Sequence, residues 1–115
     1  MKPLDAAKWI QHFQANRANR PEPEWDAPIR LQPGVVKKLL PSIEQFQLGD
    51  GGGPASLIAR DAAKYRDSSK ETRLLVDLWF EEERRHSRLL GQAVRRFGGK
   101  EIKSHWSFSA FCACR

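Results

Sequence analysis

The segment between Ser68 and Gly98-Gly99 constrains the fold more than any other part of the chain. Asp67-Ser68-Ser69-Lys70-Glu71 reads as a stop followed by a start. Ser68 with Glu71 three residues on matches a capping box, in which each residue satisfies a free amide of the other. From there the spacing predicts one long helix to Phe97, closed by Gly98-Gly99, where glycine supplies a left-handed cap.

On a wheel of about 100° per residue, Leu75, Leu78, Trp79, Leu89, Leu90, Ala93 and Phe97 gather on one side. Arg73, Asp77, Glu81, Arg84, Arg88 and Arg95 gather on the other. The helix is amphipathic, with one exception. Glu82 and His86 fall inside the apolar stripe and Glu83 lies on its edge. Burying an unpaired carboxylate costs several kcal/mol, so such a group is paired or bound to a cation. Glu83 and His86 stand three apart and reach one point beside the helix. A metal would use carboxylate and imidazole together, whereas an ordinary His–Glu ion pair or a solvated acidic run Glu81-Glu82-Glu83 would not need one.

The rest of the chain divides around proline and glycine. Trp9, Ile10 and Phe13 sit at helical spacing within Leu4 to Asn19, which predicts a short, loosely attached helix. Pro21-Glu22-Pro23-Glu24 and Pro28 make residues 20–32 a linker or extended wrap, anchored by Trp25. Pro33-Gly34 opens a second helix through Leu40, with a restart at Pro41 that runs to Leu48. Gly49-Asp50-Gly51-Gly52-Gly53-Pro54 is the stretch most hostile to helix and is expected to be a loop. Ala55 to Arg66 is helical again, with Tyr65 on its apolar side.

This organisation gives three parts: an N-terminal helix and Pro-rich linker at 1–32, a helical hairpin at 33–106 and an irregular tail at 107–115. With 115 residues, the chain builds a thin core at best. It holds no apolar run of membrane-spanning length, and Met1-Lys2-Pro3-Leu4-Asp5 has no secretory core, so a cytoplasmic location is expected. Cys112 and Cys114 form a Cys-x-Cys tail with no further zinc ligands, which reads as reduced and non-structural. The net charge of +6 reads first as a solvated basic surface. His12 and His105 read as surface histidines, and Trp9, Trp25, Trp79 and Trp106 as packing residues. No nucleophile elbow, phosphate loop or dinucleotide fingerprint is present.

Two segments carry a resemblance. Gln45-Phe46-Gln47-Leu48-Gly49-Asp50-Gly51 and Trp79-Phe80-Glu81-Glu82-Glu83-Arg84-Arg85-His86-Ser87-Arg88-Leu89-Leu90 resemble a bacterial ferritin-like di-iron carboxylate family. Its members pair a Phe-Gln-Leu-Gly-Glu segment with a Phe-Ile-x-Glu-Glu-x-Arg-His-Ala-x-Leu-Leu segment. Gly98-Gly99 and Trp106 also look like that family's glycine turn and downstream tryptophan, so the resemblance covers roughly residues 35 to 106.

The resemblance implies an all-α fold, a helical hairpin equivalent to half of a four-helix bundle. It implies a di-iron centre, or manganese in its place, and an oxidoreductase or oxygenase type of chemistry. Asp50 stands where the first helix supplies a glutamate, and Glu83 with His86 where the second supplies its Glu-x-x-His. Glu82 is a neighbouring acid, expected to hydrogen-bond a ligand or an adjacent base. Asp50 is one methylene shorter than glutamate, and Gly51-Gly52-Gly53-Pro54 replaces a segment that continues the first helix in the family. After Trp106 the text departs altogether and reads as a truncation or frame change, leaving three of about six ligands. Self-association is then expected to complete the bundle. A non-enzymatic basic module, binding an acidic or nucleic-acid partner through Arg84, Arg88 and Arg95, is the alternative. The absence of a nucleic-acid motif with the right spacing weighs against it.

Overall fold

The structure is a computed structural model that describes residues 3–60 and 62–102, with the backbone alone at 51–60 and 62. Residues His105, Trp106, Cys112 and Cys114 therefore lie outside the described part. Four helices follow in order, α1 (Ala6–Ala18), α2 (Pro33–Arg60), α3 (Ala62–Asp67) and α4 (Lys70–Arg96), and no strand occurs among the described residues. The all-α expectation is met.

Each helix begins where its local chemistry allows. Asp5 caps α1, its carboxylate accepting from the Lys8 amide at 3.1 Å. Pro33 occupies the first position of α2, where its missing N–H is no loss, and the Gln32 carbonyl accepts from Val36 at 3.2 Å. At α4 the capping serine is Ser69, not Ser68: its hydroxyl accepts from the Thr72 amide at 3.1 Å. Ser68 instead donates to the Tyr65 carbonyl at 2.6 Å and closes α3. The reading of Ser68 with Glu71 as the box was one residue early, because either serine satisfies the local pattern and only one points at the free amides.

The far end of α4 closes as expected. Gly98 takes φ +85, and the amides of Gly98 and Gly99 donate to Arg95 and Val94 at 3.0 and 2.9 Å. That is the Schellman pairing, and it turns the chain off the helix. Gly99 then lies hard against α2. A Cβ there would meet Leu40 at 2.7 Å and Glu44 at 2.8 Å. The start of α2 thus sits beside the end of α4, and the two run antiparallel.

The expected loop at Gly49–Pro54 is helix instead, and α2 passes without interruption through both Pro41 and Pro54. Four glycines cost about 1 kcal/mol each in a helix. Stopping and restarting would need a second nucleus, an equilibrium factor on the order of 10⁻³. Pro54 adds about 3 kcal/mol to the glycines' cost, and the sum exceeds the roughly 4 kcal/mol of a new nucleus, so the helix runs here against its local sequence preference. The consequence is that Asp50 is fixed on a helix and not on a loop.

α4 packs against α2 on one side and α1 on another. No residue of α1 is buried, in keeping with a light attachment, but charge pins its end: Arg17 pairs with Glu81 at 3.0 Å. Residues 20–28 wrap along α4 as expected, although arginines hold them more than Trp25 does. Arg85 donates to the Pro21 carbonyl, Arg96 to the carbonyls of Trp25 and Ala27, all at 2.9 Å, and Arg88 pairs with Glu22. Arg88 in turn holds the Glu22 carboxyl below the usual carboxylate range by hydrogen bonding to it.

The buried apolar side chains among the described residues are Leu78, Phe80 and Val94. Only Leu78 belongs to the stripe expected from the wheel. The other stripe members are half-buried, and Trp79, like Trp9, is largely exposed and so is not a core residue. α1 and α2 both pack on α4, and Trp79 is the member of the stripe left exposed.

Candidate metal centre

Asp50, Glu83 and His86 converge. One ligand atom from each lies within 4.8 Å of the others, Asp50 and Glu83 half-buried and His86 exposed. Helical continuity carries Asp50 outward along α2. The antiparallel register, fixed by Gly99 on Leu40 at one end, is repeated by Gln47, which donates to Ser87 at 3.3 Å. Gln47 precedes Asp50 by three residues and Ser87 follows His86, so the same register sets Asp50 beside the Glu-x-x-His turn.

The donor set is two carboxylates and an imidazole, the mixture that suits iron, manganese or zinc in the divalent state. Bonds to such an ion are about 2.0–2.2 Å, which places donors of one ion roughly 3–4 Å apart. The observed spread, within 4.8 Å, is wider than that and would have to tighten around an ion. The residues fit a metal.

Glu83 has a neighbour that sequence reasoning missed. The Trp79 indole N–H donates to a Glu83 carboxylate oxygen at 3.1 Å, one turn earlier on the same helix. The i,i+4 spacing of Trp79 and Glu83 was the available signal. The indole stacks on Phe80, with ring centroids 5.6 Å apart and an interplanar angle of 14°. That packing fixes the donor, and the donor limits where the carboxylate points.

Glu82 has a different place from that expected. It is buried and ion-paired to Arg20, which descends from the end of α1, and it stands outside the group of three. Its burial inside an apolar stripe is resolved by a guanidinium from 62 residues away, a partner that no local pattern displays. Tyr65 likewise does not join the group. Its hydroxyl bonds to Asp77, which raises its pKa above the usual phenol value.

The arginines proposed to meet an acidic partner are in part already occupied. Arg88 holds Glu22 and Gln92, and Arg95 bonds Glu101 at 3.1 Å. His12 is exposed, as expected, and shares a 3.1 Å hydrogen bond with Asn16. No helix among the described residues is long and apolar enough to cross a membrane.

No protein-family model matches the chain, and no curated protein or solved structure shows significant similarity to it.

Proposed function

We propose that the chain is a ferritin-like metal-binding protein, with Asp50, Glu83 and His86 as ligands to iron or manganese. The observation that carries this reading is the approach of three metal-ligating side chains from two helices to within 4.8 Å of one another. Glu-x-x-His on one helix facing a carboxylate on its antiparallel neighbour is the half-set from which bundle di-iron sites are built. A bound pair of such ions supplies redox and dioxygen chemistry of the oxidoreductase or oxygenase type.

The protein's own part would be to hold the donors apart and directed. α2 presents Asp50, the first half of α4 presents Glu83 and His86, and Trp79 steadies one oxygen of Glu83. Glu82 keeps Arg20 and is not a ligand in this reading. Among the described residues the group gives three donors where a bundle centre has about six, and self-association would supply the same set again.

Metal analysis of the purified protein, set beside Glu83→Ala and His86→Ala, tests the proposal. The wild-type chain is expected to hold iron or manganese at near one ion per chain, and each variant at a small fraction of that. Equal metal content in all three proteins would overturn the assignment.

A further inference from the structure

We propose that the partner completing this centre is a second copy of the chain, seated on the open face between the outer stripe of α2 and the adjoining stripe of α4. The inference rests on the metal reading and adds the surface and its occupant.

The face is apolar and continuous with the ligands. Val35, Leu39 and Phe46 are 42%, 43% and 67% exposed, and Trp79 on α4 is 46% exposed. At about 100° per residue, the three α2 side chains fall within about 40° of each other, and Asp50 lies about 20° beyond Leu39. Phe46 and Asp50 share the wall of one open groove of about 300 Å³ with Ser42, Gln45 and Gly49. On α4, Trp79 and His86 are exposed and Leu90 and Phe97 half-buried, and the four fall within about 40° by the same count. Single exposed apolar residues need no explanation, but a stripe running into a ligand group does.

The donor chemistry chooses the occupant. A centre of this kind needs the same set twice, a carboxylate from one helix and Glu-x-x-His from the next. An isologous twofold contact presents the same patch from each side and so delivers that repeat without any other partner. His86 is exposed, so its ring is reachable from outside. Charge makes the contact conditional. Each copy brings the carboxylates of Asp50 and Glu83, so the pair brings four negative charges to one place. Two divalent cations balance them. Without metal the like charges oppose the contact, and with metal they drive it.

Sedimentation velocity of the full chain, with and without anaerobic iron(II), tests this beside a titration of iron(II) at two chain concentrations tenfold apart. Expected are a monomer without metal, a dimer with one ion per chain, and an apparent Kd that falls as chain concentration rises. The double variant Leu39→Glu/Phe46→Glu, checked for helicity and cooperative melting, should stay monomeric with iron affinity at least tenfold weaker. A monomer that binds iron with a concentration-independent Kd would overturn the inference and leave the metal reading standing. A dimer unmoved by the double substitution would place the contact elsewhere and overturn it too. A dimer that forms through this face yet takes up no iron would sink the metal reading, and with it the completion of a site.

Discussion

At the scale of the residue, the two acids of adjacent position, Glu82 and Glu83, have opposite fates. Glu82 turns toward α1 and pairs with Arg20, and both side chains are shielded from solvent. Removing the arginine leaves a buried charge, so Arg20→Ala is expected to destabilise the fold by about 3 kcal/mol in denaturant unfolding. Arg17→Ala, which breaks the more exposed pair with Glu81, should cost less than about 1 kcal/mol. Equal losses would show that burial of the Glu82 pair is not what distinguishes them. Glu83 turns toward α2 and takes the Trp79 indole as its donor. Partners that orient a metal ligand are worth about 10–100-fold in affinity. Trp79→Phe keeps the ring packing and removes the N–H, so about tenfold weaker metal binding is expected with unfolding stability nearly unchanged. Binding constants equal to wild type would make Trp79 a packing residue only.

At the scale of the element, α4 is the best specified part of the chain and also the most informative about what sequence shows. Its extent was legible because a serine pair, an amphipathic run and a glycine pair mark its start, body and end. Which serine caps it was not legible, since Ser68 and Ser69 are adjacent and either fits the local pattern. The structure predicts that Ser69→Ala costs about 1 kcal/mol by losing the bond to the Thr72 amide. If chemical denaturation instead showed Ser68→Ala to be the only costly change, the cap assignment would fail. α2 shows the reverse case. Gly49 to Pro54 argues locally for a loop, and the helix runs through it against that local preference. The position of Asp50 depends on that outcome, so the ligand pattern was visible in the sequence while the reason it assembles was not. Arg88 reads as part of the polar face of α4, yet Arg88, with Arg85 and Arg96, binds residues 21–27, a long-range pairing that helical periodicity does not encode.

At the scale of the whole molecule, the helices leave much apolar surface uncovered. Leu78, Phe80 and Val94 are the buried apolar side chains among the described residues, and the radius of gyration is 17.2 Å against about 13 Å for a compact domain of this length. The open side is the side that carries Asp50, Glu83 and His86. The exposed Phe46 and the candidate ligand Asp50 thus share one open groove, the surface on which the proposed second copy would sit. Anomalous scattering from crystals of the wild-type chain soaked in manganese(II) would locate the bound ion. A peak is expected within about 2.0–2.2 Å of a carboxylate oxygen of Asp50, a carboxylate oxygen of Glu83 and a ring nitrogen of His86. Manganese bound only at other carboxylates, with these three residues in place and no peak between them, would contradict it.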